Sequence, residues 1–422
     1  MLMVACGGSS HPDSPAIHAF KAEPARAAMG QEVVLFGTYS RGHGVVDPAV
    51  GPLASGEPLK VFPKATTTYV LRVMDGQGRT VTASTRVEVG PGLAVDIQGS
   101  EGGVGAVRVE GPGGFSRTLT TSAVLPEIEP GEYTITAEPT GSGSTQMLPL
   151  VSAQKVQVTT GTEVTVQYLS PTLTVYLDEA VPLEMVLIKP GTFTMGSNEG
   201  DPRYYPAHRP PHPVTIPRPF YAAKYPTTQA QWQAVMGDNP STLKNPDFPV
   251  TNVSFDDIQD GFLPKLNKKV SGHGFRLPSE AEWEYACRAG TSTDSFFDQD
   301  ERLQDYAWTY DRNGSYLHPV GQKKPNPWGL YDLSGLVFQW CQDLTHHGYE
   351  GAPSDGTAWL TPDRDPLERI VRGHGPHYYP PMEGKSFQRS YFYAAVREDF
   401  LGFRLLYNGD TSQLSTQVQA GN

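Results

Sequence analysis

The sequence predicts a multidomain chain, two all-β sandwiches followed by an α+β module. Three observations carry this prediction. Alternating β-branched runs punctuated by Gly and Pro turns fill residues 17–172. All six tryptophans lie at or beyond position 232. A strong helix start, Ser279 followed three residues later by Glu282, also falls late in the chain. Gly (44) and Pro (38) together approach a fifth of the 422 residues, which favours turns and short strands over a helical bundle. At this length two to four domains are expected.

In chain order, residues 1–16 form a polar linker behind Met1-Leu2-Met3-Val4-Ala5-Cys6-Gly7. Residues 17–90 carry the strands around Val33–Phe36, Thr67–Val73 and Val81–Val89, with a turn at Asp75-Gly76-Gln77-Gly78. This pattern resembles bacterial immunoglobulin-like spacer domains. Residues 91–172 repeat it with Leu93–Ile97, Tyr133–Ala137 and Val164–Tyr168. Neither segment clusters His, Asp, Cys or Ser as chemistry would require. Carbohydrate-binding sandwiches want exposed Trp, and none falls here. Residues 173–408 form the third domain, and 409–422 read as a polar tail.

The net charge of −12 offers no basic stripe for nucleic acid. No apolar run reaches the length of a membrane-spanning helix. The three cysteines, Cys6, Cys287 and Cys341, allow at most one disulfide. The Ala5-Cys6-Gly7 context resembles the end of a bacterial lipoprotein signal. That implies lipidation at Cys6, a membrane tether only through a lipid anchor, and a bacterial surface or outer-envelope location.

The third domain carries four landmarks: Met185–Ser197, Phe275–Arg288, Asn326–Trp340, and Arg369-Ile370-Val371-Arg372-Gly373 closed by Gly402-Phe403-Arg404-Leu405-Leu406. In the second, Ser279 and Glu282 form a capping box, with Trp283, Ala286 and Cys287 on one helix face and Glu280 and Glu284 on another. A further helix is expected over Thr228–Met236. In this order the landmarks resemble the formylglycine-generating enzyme (sulfatase-modifying factor) family, which implies a C-type-lectin-like fold. The family's oxidase chemistry needs a cysteine pair for copper between the Arg-Gly and Gly-Phe-Arg landmarks. In this chain residues 374–401 contain no cysteine. No copper or iron is therefore expected, and Cys287 and Cys341 read as core thiols. The family's Asn-x-x-Gly-x-x-x-Glu block, which binds calcium, reads here as Asp332 to Gln339. The resemblance implies a Ca²⁺ site at Asp332, Gly335, Val337 and Gln339, weakened by the amide of Gln339.

Six of the 23 residues in 374–396 are Tyr or Phe, about three times the chain average. Consecutive aromatics on strands cannot all face inward, so a part of them must be exposed. Exposed Tyr with Ser, Gly and His is a paratope-like composition. A second resemblance fits it: variable proteins of diversity-generating retroelements hold their mutable segment between the same landmarks. It implies a variable binding face at His374, His377, Tyr378, Tyr379, Ser386, Phe387, Ser390, Tyr391, Phe392 and Tyr393. The function expected is a monomeric, non-enzymatic surface binder of a protein ligand, a carbohydrate being less favoured. An oxidase with an altered active site and a structural envelope subunit are the alternatives.

Overall fold

The computed structural model describes residues 14–48, 51–99, 106–141, 146–196, 206–270, 274–297, 303–308, 317–373, 384–408 and 418–419. Cys6 and most of the C-terminal tail lie outside them. The chain divides into two compact units. One holds the described residues up to Thr140 and Val151–Tyr168; the other holds Gly141–Leu150 and the described residues from Leu169 onward.

Among its described residues the regular structure of the first unit is β apart from one short turn of 3₁₀ helix. Its N-terminal part stacks two sheets. One runs Ala16–Glu23, Val33–Ser40, Pro58–Val61; the other runs Arg26–Ala27, Thr80–Val89, Thr67–Met74, His43–Asp47, Gly51–Leu53. The two-residue side-chain period makes the core: Tyr69, Leu71 and Val73 point inward while Arg72 and Met74 point to solvent. They meet Val33, Leu35, Val46 and Val87 in one buried cluster. The turn expected at Asp75 forms because its carboxylate accepts the N–H groups of Gln77 and Arg79, both at 2.9 Å.

A second pair of sheets follows. Phe115–Leu119, Val107–Gly111, Gly131–Ala137 and Ala153–Val158 form one. Ala123–Pro126, Gly92–Gln98 and Thr162–Leu169 lie side by side in the other, the last two parallel. Gly111 is required by close approach: a Cβ there would sit 2.2 Å from the Tyr133 ring. Both pairs of sheets fall within one compact unit. Thr172–Asp178 pairs with Val181–Ile188 in the second unit.

The second unit is also β-rich. Its larger sheet orders Phe275–Arg276, Leu406–Tyr407, Phe220–Ala223, Val181–Ile188, Thr172–Asp178 and Val418–Gln419. A smaller sheet orders Arg389–Tyr393, Glu368–Gly373, Phe338–Leu344 and Leu401–Gly402. Both expected helices form, Gln229–Met236 and Glu280–Arg288, each started by a complete capping box on Thr228 and Ser279. A third, Leu263–Lys269, was not legible; a wider helical turn over Asp257–Phe262 precedes it, and Pro264 stands in its first turn. Among the described residues no helix is long and apolar enough to cross a membrane.

Candidate functional site

Helix Glu280–Arg288 departs from the amphipathic expectation, for all nine of its residues are buried. Glu280 and Glu284 do not face water. They anchor a charged network under the smaller sheet. Glu284 accepts from Arg288 at 2.8 Å and from the Gly196 N–H at 2.9 Å, and its other oxygen pairs with Arg372. Arg372 reaches Glu280 at 2.9 Å, and Arg389 reaches the second Glu280 oxygen at 2.8 Å. The Tyr349 hydroxyl donates to Glu280 at 3.2 Å. Three guanidinium groups thus face two carboxylates in the protein interior. Such an arrangement survives burial only because each charge is paired.

The network also fixes the segment entering the expected binding face. Arg372 donates to the carbonyls of Ser386 and Gln388, each at 3.0 Å, and Arg389 donates to the Ala207 carbonyl at 2.9 Å. Ser386 and Phe387 are consequently fully buried, with Phe387 against the His208 ring. This corrects their expected place on the ligand face.

Strand Arg389–Tyr393 lies at the edge of its sheet and pairs with Glu368–Gly373. Alternation sorts its side chains. Arg389, Tyr391 and Tyr393 take one face; Ser390 and Phe392 take the other. Phe392, partly buried, packs against Phe338, Trp340 and Phe400 at 5.8–6.4 Å between ring centres, so it turns towards the core and is also withdrawn from the face. Ser390 is half-buried opposite Val371. Tyr391 and Tyr393 stand 43% and 50% exposed. The Arg364 guanidinium lies 4.8 Å from the centre of the Tyr391 ring. Leu367, 63% exposed, adjoins Tyr393 through the bond from the Ala394 N–H to its carbonyl (2.7 Å). Sequence reading passed over Arg364 and Leu367 because neither lies in the aromatic run. His374, His377, Tyr378 and Tyr379 fall outside the described residues.

Neither cysteine of this unit is a poised thiolate. Cys287 and Cys341 are wholly buried, and burial pushes the Cys287 thiol up to about 12 and Cys341 well above the ordinary range.

The Asp332 loop is tightly held. The side-chain oxygen of Gln339 accepts from Trp283 Nε1 and Arg404 Nε, both at 3.0 Å, and its amide nitrogen donates to the Asp332 carbonyl at 2.8 Å. Asp332 is buried; Oδ2 accepts from the Gly321 N–H at 2.8 Å, while Oδ1 has no hydrogen-bond partner. Burial raises its pKa to about 6. The Gly335 carbonyl accepts from the Val337 N–H at 3.0 Å. The orphaned Oδ1 suits a cation, but Gln339 offers the loop no oxygen. Of the four residues expected to bind calcium, Gln339 thus turns its side-chain oxygen to Trp283 and Arg404.

Two further buried groups give the network a pH dependence. Asp343 accepts from the Glu280 and Trp359 N–H groups at 2.6 and 2.8 Å, yet burial and then the Glu280 charge push it from 3.8 up to about 7. His208 moves the other way: burial, then Arg372 and Arg389, lower it to about 4. The folded state holds a proton on Asp343 that the unfolded chain releases above pH 3.8, so stability falls as pH rises through about 7. His208 acts oppositely, costing stability as pH falls from 6.5 towards 4. From about pH 6 to about pH 8 the Asp343 contribution should fall by about 1 kcal/mol. Urea midpoints at the two pH values should show this decline in the wild type and a smaller one in Asp343→Asn. Equal declines would contradict it.

With the geometry in place, the class of the protein is defined by the second unit. The sulfatase-modifying factor enzyme 1-like domain model matches residues 177–409, over half of the chain, and the chain belongs to this family. It is 30% identical to the chaperone protein LppX of Paenibacillus barcinonensis, over 30% of this chain and 63% of that relative. It is 30% identical to the formylglycine-generating enzyme of Bos taurus, over 30% of this chain and 35% of that relative. The chain thus spans less than two thirds of either relative's length. Among solved structures, Treponema denticola variable protein 1 is similar at 26% identity, covering 56% of this chain and 99% of that one with a TM-score of 0.46.

Proposed function

We propose that this protein is a non-enzymatic binder, in which immunoglobulin-like sandwiches carry a C-type-lectin-like domain that presents residues 374–396 to a protein ligand. The observation that carries the reading is the state of the interval between Arg369–Gly373 and Gly402–Leu406. It holds no cysteine, and its described end places Tyr391 and Tyr393 in solvent on a strand whose Arg389 pairs with Glu280 and whose Phe392 packs against Trp340. The unit's two thiols are sealed in the core, where copper-dependent oxidation of a substrate cysteine has no ligands to use. Tyr offers a large amphipathic contact with little side-chain entropy to lose, which suits a protein epitope. The reading includes a tether through Cys6 at a bacterial surface, and diversification of the face by a retroelement.

Sequencing codons 372–404 across a population of the source organism tests the diversification. Substitutions are expected at Tyr391 and Tyr393 and absent at Arg372, Phe387 and Phe392, whose side chains the core holds. An invariant segment would remove diversification from the reading and leave one fixed partner.

A further inference from the structure

We propose that a closed side-chain knot of Gln339 and Arg404 replaces the calcium ion that the family resemblance places at the 332–339 block, so that this loop is organised without a divalent cation. The orientation of the Gln339 amide is the key. Trp283 Nε1 and Arg404 Nε are obligatory donors, and both meet the same Gln339 oxygen at 3.0 Å. Turning the amide over would set N–H against N–H twice. The orientation is therefore fixed by chemistry, and the amide nitrogen points at the Asp332 carbonyl, 2.8 Å away. That nitrogen has no lone pair for a cation. A carboxylate at this position would instead turn an anionic oxygen into the loop.

The charge has also moved. The family block pairs a neutral Asn with an anionic Glu; here Asp332 is the anion and Gln339 is neutral. The compensating positive charge is already in the fold. Arg404, 2% exposed, donates to the carbonyls of Ala223 at 2.6 Å and of Tyr331, and reaches the Asp332 carbonyl at 3.4 Å. Calcium takes six to eight oxygens. Of the four expected ligands, Gln339 is withdrawn and the Gly335 carbonyl already accepts one N–H. Asp332 Oδ1 is a buried oxygen without a hydrogen-bond partner, and with the Gly335 and Val337 carbonyls it makes three oxygens, short of that number.

The test is melting of the full chain followed by tryptophan fluorescence, in EDTA and in about 5 mM CaCl₂. Wild type should melt at the same temperature in both, to about 1 °C. The double variant Asp332→Asn, Gln339→Glu restores the family block at unchanged net charge. It should gain about 5 °C or more in calcium and nothing in magnesium. A calcium-dependent rise in the wild type would overturn the proposal, as would a folded double variant indifferent to calcium. Should the double variant not fold, calorimetric titration of the wild type with CaCl₂ decides: saturable heat overturns the proposal and its absence upholds it.

Discussion

Replacing Arg372 by Ala should destabilise the C-terminal unit by about 3–5 kcal/mol, the cost of breaking a buried ion pair from one side. Arg372 is fully buried and holds five oxygens or oxygen-bearing groups at once: Glu280, Glu284, the Ser386 and Gln388 carbonyls, and the Tyr349 hydroxyl at 3.4 Å. Removing it leaves Arg288 as the guanidinium on Glu284 and Arg389 as that on Glu280, and takes a donor from the Ser386 and Gln388 carbonyls. The melting temperature should fall by about 10 °C or more. All six tryptophans lie in this unit, so their fluorescence reports its unfolding directly. Arg372→Lys should recover only part of the loss, because an ammonium keeps the charge but not the planar fork. A change below about 1 kcal/mol for Arg372→Ala would mean that the network contributes little.

The same network shows where sequence reading stopped. The Ser279–Glu282 capping box was legible because its partners lie three residues apart, whereas the Thr228–Gln231 box emerged only with the structure. The sandwich strands were legible because burial follows a two-residue period along each run. The Glu284–Arg372 pair spans 88 residues, and no local pattern announces it. Two glutamates on a helix face read as solvated charge, whereas the fold turns them inward to meet Arg372 and Arg389 from two distant strands. Within the aromatic run, composition showed that some rings must be exposed. It could not tell that Phe392 is the inward one, since that depends on which edge of the sheet the strand joins. Phe387 was lost for a related reason: its segment is pinned from beneath by Arg372. For Gln339, sequence showed a missing carboxylate, and only the positions of Trp283 and Arg404 show what the amide does instead.

Ligand binding should collapse when Tyr391 and Tyr393 are replaced by Ala, while folding is kept. Each ring is about half in solvent, so truncation removes little core packing, and stability should change by less than about 1 kcal/mol. At an interface the same rings would be central anchors. Truncating one such residue costs about 2 kcal/mol or more, so the pair should lose about a hundredfold or more in affinity. Phe392→Ala, on the same strand but facing inward, should do the reverse and lower stability by about 3–5 kcal/mol through the cavity it leaves. The measurement that bears most directly on the binding account is therefore paired. Affinity for a captured protein partner and the melting temperature are compared between wild type and the Tyr391→Ala, Tyr393→Ala double variant. The account predicts a loss of about a hundredfold in affinity with melting held to about 2 °C. Unchanged affinity in a normally folded double variant would contradict it.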